Sequence, residues 1–151
     1  MPITIRLLDP DDADVLANVA EGTFDHEIDD RWTQIFFADP HSHLVVALDG
    51  DVVVGMVSCI DYVHPDKPPQ LWINEVGVGT AYRQRGIATH LLGAALDLGR
   101  ALGCTEAWLG TADDNAPARR LYERAGGVAE PFVLYSFPLV EHAHDPSNET
   151  P

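Results

Sequence analysis

Long apolar runs, basic residues and cysteines are all scarce in this chain, and each scarcity excludes something. No stretch of the 151 residues stays apolar over the roughly 20 residues that a bilayer-spanning helix needs, so no membrane partner is expected. Met1-Pro2-Ile3-Thr4-Ile5-Arg6 lacks the basic region and following apolar stretch of a secretory leader, and a cytoplasmic location is the expectation. The two cysteines, Cys59 and Cys104, lie apart in strand-like stretches. They form neither a disulfide framework nor a ligand cluster and read as reduced core residues. Seven histidines without a matching carboxylate or C-x-x-C pattern give no reason to expect a metal. No internal repeat is visible.

Only nine side chains are Lys or Arg against 24 Asp or Glu, a net charge of −15, so a nucleic acid is not an expected partner. The distribution is more informative than the total. Residues 1–75 hold 15 acids and three bases, whereas residues 76–124 hold five acids and six bases. An anion is tolerated best in that second segment, and a cation is drawn to the first. Surface acid that merely keeps the protein soluble reads the first segment equally well.

With 46% hydrophobic residues the chain has enough apolar content for one domain, assigned to residues 1–140, with 141–151 as a polar, disordered tail. Ile3, Ile5 and Leu7 alternate as a strand. Residues 13–20 set Val15, Leu16 and Val19 on one helical face, and a short helix follows through Trp32, Ile35, Phe36 and Phe37, stopped by Asp39-Pro40. Residues 44–48 and 52–60 flank Asp49-Gly50-Asp51, a tight antiparallel hairpin. Residues 64–69, with three prolines, read as a loop, and 71–78 as the next strand. Leu91, Ala95, Leu98 and Leu102 then mark a helix capped by Gly103. Residues 105–110 form a strand parallel to 71–78, because a helix joins them. Pro117 opens a last helix ending at Gly126-Gly127, and the alternation over 132–139 reads as a final strand. The fold class is therefore α/β (α+β): a mixed, mostly antiparallel sheet with one parallel β-α-β crossover and helices on both faces.

Arg83-Gln84-Arg85-Gly86-Ile87-Ala88-Thr89 stands between a strand and a helix start, where free backbone N–H groups face any anion lodged there. Gly86 permits close approach and Ala88 keeps it open. Two solvated arginines at an ordinary helix end are the plainer reading. Glu75 is a carboxylate within an otherwise apolar strand, an expensive position where desolvation makes a better base; an edge-exposed acid or an ion-pair member fits the same sequence. Gly77 permits a bulge that opens the sheet, or fills a packing gap.

The element order with Arg83-x-x-Gly86-x-Ala88 after Val76-Gly77-Val78, and Asn115-Ala-Pro-Ala-Arg-Arg-Leu-Tyr122-Glu-Arg-Ala-Gly126 some 30 residues on, resembles the GCN5-related N-acetyltransferase superfamily over residues 3–139. Gly127 departs from the Phe common there. Within it, Tyr62-Val63-His64-Pro65, Pro68-Pro69 and Ala112-Asp113 resemble the aminoglycoside 3-N-acetyltransferase branch, which implies an antibiotic-resistance type of activity.

The resemblance implies acetyl-CoA as cosubstrate, without a metal, and a homodimer. It assigns the diphosphate to Arg83, Gln84, Arg85, Gly86, Ile87, Ala88 and Thr89, the pantetheine arm to Val76, Gly77, Val78 and Asn115, and the leaving sulfur's proton to Tyr122. Tyr122 as core and Asn115 as a helix cap remain open beside those roles. Glu75 takes the amine proton, directly or through water, or anchors the ammonium. Asp25, Glu27, Asp29, Asp30, Asp113 and Asp114 suit a small polycationic amine, unless they are a solvated acidic face. A protein or peptide acetyltransferase and a silent acyl-CoA-binding module are the alternatives.

Overall fold

The computed structural model describes residues 2–141. Five strands form one sheet in the order β1-β2-β3-β4-β5: β1 (Ile3–Leu7), β2 (Ser42–Asp49), β3 (Val52–His64), β4 (Lys67–Val78) and β5 (Ala107–Trp108). The first four are antiparallel and β5 runs parallel to β4, as the crossover through α2 (Ile87–Ala101) requires. On one face α2 buries Ile87, Leu91, Leu92 and Ala95 against Val45, Val57, Leu71 and Ile73. The opposite face carries a 3-10 helix (Pro10–Ala17) and α1 (Asp30–Ala38), with Leu16, Leu44, Val46 and Met56 buried between them and the sheet. A last helix, α3 (Ala116–Arg124), follows β5. No helix among the described residues is long and apolar enough to cross a membrane.

Four expectations need correction. The helix over 13–20 is a 3-10 helix ending at Ala17, because the next residues turn into the sheet: Ala20 N–H donates to the Val53 carbonyl at 2.8 Å and Val53 N–H to that of Asn18 at 2.9 Å. The loop over 64–69 shrinks to Pro65-Asp66. Pro68 and Pro69 lie within β4, where fixed φ suits an extended chain, and the Pro69 carbonyl accepts from Thr105 N–H. The strand over 105–110 keeps only Ala107–Trp108. The final strand over 132–139 is absent; that segment runs unpaired, with its apolar side chains in solvent. The tail assigned to 141–151 lies outside the described residues, apart from Glu141.

Candidate active site

A cleft opens where β4 parts from β5. The two strands pair only at Leu71–Ala107 and Trp72–Trp108, so beyond Ile73 the β5-facing side of β4 has no strand neighbour. The sheet opens through a bulge, but not at Gly77. Ser58 pairs with Glu75 and Cys59 with Ile73, leaving Asn74 as the extra residue. Gly77 serves packing instead, because a Cβ there would overlap the Thr23 carbonyl oxygen. Val76, Gly77 and Val78 thus lie along the parted stretch, each partly exposed.

At the top of this cleft lies the turn into α2. Gln84 (φ 63°) is the one non-glycine residue with positive φ among the described residues, and Gly86 (φ 77°) caps the helix. A left-handed pair before a helix start turns successive N–H groups inward as an anion nest. Nothing lies within 4 Å of where a Gly86 Cβ would stand, and the first turn of α2 holds no acid. Arg83 donates from Nε to the Val78 carbonyl at 3.3 Å, and Arg85 donates to that of Ala81 at 3.3 Å while lying over the Tyr82 ring. Ala88 and Thr89 follow buried Ile87 in the first turn of α2. The turn is braced from below by Gly79 N–H to the Val54 carbonyl, Thr80 N–H to that of Glu21, and Tyr82 O–H to the Asp49 carboxylate at 2.8 Å. Sequence reasoning missed the Tyr82–Asp49 brace, which joins positions 33 apart through the fold alone.

Glu75 is exposed, so the desolvation argument for it does not hold. Its side of the sheet is nonetheless informative. With Asp25, Glu27 and Asp29 it lines a cavity of about 400 Å³ walled by Trp32, Phe36, Leu44 and Ser58. Asp25, Glu27 and Asp30 also line the adjoining groove beneath the 3-10 helix. Asp29 is partly committed, since its Oδ1 caps α1 by accepting from Trp32 N–H at 3.0 Å. Asp113 and Asp114 do not join this cavity, and Asp113 pairs with Arg119 at 3.0 Å. His26, Trp32 and Phe36 were not foreseen as cavity walls; the run of charge beside aromatics from Phe24 to Phe37 was the available signal.

Tyr122 belongs to the other side, half-buried against the α2-face core. Burial pushes its phenol above the usual tyrosine range, which keeps the proton on it. Asn115 Oδ1 accepts from Ala118 N–H at 3.2 Å, the helix-cap role. Burial pushes the Cys59 thiol up to about 12 and raises Cys104 less, so neither is a ready nucleophile.

The chain has relatives among known proteins. The sequence profile described as the Acetyltransferase (GNAT) family matches residues 13–127. N-alpha-acetyltransferase 30 of Schizosaccharomyces pombe is 40% identical over 81 residues, 54% of this chain and 54% of that protein. The match therefore spans about half the length of that relative. N-alpha-acetyltransferase RimI of Mycobacterium tuberculosis is 33% identical over 129 residues, 83% of this chain and 78% of that one. Two solved structures share the fold. An aminoglycoside acetyltransferase, meta-AAC0020, from an uncultured soil metagenomic sample superposes with TM-score 0.78 at 18% identity (92% of this chain, 97% of the other). AAC(6')-Iy, solved with a bisubstrate analog of CoA, gives 0.73 at 20% identity (91% and 99%).

Proposed function

This chain belongs to the acetyltransferase (GNAT) family, and from that premise we propose that it moves the acetyl group of acetyl-CoA onto a primary amine of a small polycation. Acetyl-CoA supplies the acyl group already activated as a thioester. N–H groups from Gln84 to Thr89 hold its diphosphate, with Arg83 and Arg85 as supporting cations. The parted edge of β4, at Val76, Gly77 and Val78, aligns the pantetheine arm as an added strand and offers an N–H to the developing oxyanion; Asn115 contributes from across the cleft. Glu75 takes the ammonium proton, through water or directly, or anchors the amine. Tyr122 gives its proton to the leaving sulfur. No covalent enzyme intermediate is needed.

The observation that carries the acceptor class is the convergence of Asp25, Glu27 and Asp29 with Glu75 on one cavity. Several carboxylates around one amine favour a molecule with several ammonium groups, such as an aminoglycoside, and acetylation at its 3-N position is part of this proposal. A second reading, a protein N-terminus, draws on the two N-alpha-acetyltransferase relatives and on the groove that continues the cavity. Thiol release from acetyl-CoA across aminoglycosides, polyamines and peptides decides between them. Turnover on aminoglycosides that weakens with salt supports the first, turnover on peptides alone the second, and cofactor binding without turnover on any amine removes both. NMR of an acetylated aminoglycoside tests the 3-N position.

A further inference from the structure

The three tryptophans of the chain divide between two places. Trp32 walls the acid-lined cavity from α1, while Trp72 and Trp108 meet on the sheet beyond it. Register puts this pair on the cavity's side. Ser58, which lines the cavity, is followed on the same face of β3 by Ile60 and Tyr62, and these pair with Trp72 and Gln70 of β4. The intervening Leu71 and Ile73 are buried against α2 on the opposite face. From the Ser58–Glu75 pair to the Ile60–Trp72 pair is one strand repeat, about 7 Å along the sheet. The aromatic surface there is held from within. Trp108 Nε1 donates to the Tyr62 hydroxyl at 2.5 Å, Tyr62 donates to Gln70 Oε1 at 3.3 Å, and the two indole rings lie 4.2 Å apart. Trp108 is nonetheless 48% exposed, so its N–H is satisfied inside while its ring faces solvent. Gly110 adds no side chain to this surface; the Trp72 and Phe132 rings border the place its Cβ would take, at 4.0 and 3.5 Å.

We propose that Trp72 and Trp108, with Tyr62 as the support that fixes Trp108, form a subsite for the second ring of a multi-ring aminosugar whose reacting amine stands at Glu75; the inference rests on the polycationic acceptor proposed above. The order of chemistry along the sheet selects this occupant. Asp25, Glu27 and Glu75 line the cavity, and one repeat further on Ile60, Tyr62, Gln70 and Trp72 carry no charge. A linear polyamine is satisfied by the acids and gains little from the rings. An aminosugar brings both parts, ammonium groups for the acids and flat C–H faces for the indoles, which also attract any ammonium placed over them. A peptide gains less, because Ile60 has strand neighbours in β2 and β4, and Trp72 in β3 and β5, so no backbone edge is free there for main-chain pairing. Standing on paired strands, the surface is formed before the ligand arrives, and stacking costs little ordering. The subsite thus sorts acceptors by ring number, with the cavity holding the first ring and the tryptophan pair the second.

The test reads the three indole N–H resonances of the full, isotope-labelled chain while it is titrated with neamine, which has two rings, or with its one-ring core 2-deoxystreptamine. Trp32 reports the cavity; Trp72 and Trp108 report the subsite. The expected result is that both compounds shift Trp32 and that neamine alone shifts Trp72 and Trp108. Trp72→Leu then weakens neamine about tenfold more than 2-deoxystreptamine. Loss of a rung that merely joins β4 to β5 would weaken both alike. Neamine that shifts Trp32 and leaves Trp72 and Trp108 in place, or equal weakening of the two compounds by Trp72→Leu, overturns the subsite while the polycationic acceptor stands. Three unmoved tryptophans with both compounds overturn that acceptor and the subsite with it. Because the resonances are read in the wild type, a substituted chain that misfolds leaves the test intact.

Discussion

Residues 2–102 and 103–141 are built on different terms. The first region contains every buried apolar side chain, from Leu8 to Ala95, while the second contains none. The first supplies the anion nest, the parted edge of β4 and the acid-lined cavity. The second supplies Tyr122 and the other wall of the cleft. The proposed binding surfaces thus sit on a packed frame, and the proposed proton donor, Tyr122, sits on a helix with no fully buried side chain. Substitutions in the frame should therefore move stability and affinity, and substitutions beyond it should move turnover.

The largest expected effect is Leu91→Ala, which removes a fully buried side chain and should cost about 2–5 kcal/mol in denaturant unfolding. Leu134→Ala, at a side chain 80% exposed, should cost less than about 0.5 kcal/mol; equal losses would erase the contrast. Next comes Gly86→Asp, which puts a β-carbon at φ 77° and an anion in the nest. Calorimetry should show acetyl-CoA binding weakened by about 10- to 100-fold, or roughly 1.4–2.7 kcal/mol; unchanged affinity would remove the diphosphate from this turn. Tyr122→Phe should lower kcat by about tenfold with affinity intact. Its raised pKa keeps the donor form through neutral and mildly alkaline pH, so any decline due to Tyr122 belongs above the ordinary tyrosine range. Less than about threefold loss would make it a packing residue.

A smaller effect than those on the frame and the site concerns Asp61, which accepts from His43 at 2.5 Å and His41 at 3.2 Å. Burial raises its pKa, but those hydrogen bonds outweigh burial and hold it below the usual carboxylate range. A depressed folded pKa gives stability that is present above the unfolded value and lost as pH falls through the folded one. Asp61→Asn should therefore cost about 1 kcal/mol at pH 6 and nothing in strong acid, read by thermal melting; a difference that persists in strong acid would refute the pairing.

The frame was largely readable because its signals are local. Asp49-Gly50-Asp51 announces a hairpin, Leu91 and Ala95 announce a helix face, and Gly86 announces the turn into α2. What escaped depends on pairing. The bulge falls at Asn74 and not Gly77 because register against β3 decides it, and the glycine is needed for the approach of Thr23. Glu75 looked enclosed among Trp72, Ile73 and Val76, yet it faces the side of the sheet where the cavity lies open. Alternation over 132–139 was read as a last strand and none is there, because a strand exists only where a neighbouring edge accepts it.

The Trp72 and Trp108 rings, 4.2 Å apart at 58°, lie at the last rung joining β4 to β5, where the cleft begins. Two indoles that close are excitonically coupled, so this rung carries its own optical label. The far-ultraviolet couplet should persist if nucleotide enters a preformed fork, and should collapse if entry unzips the strands to their base.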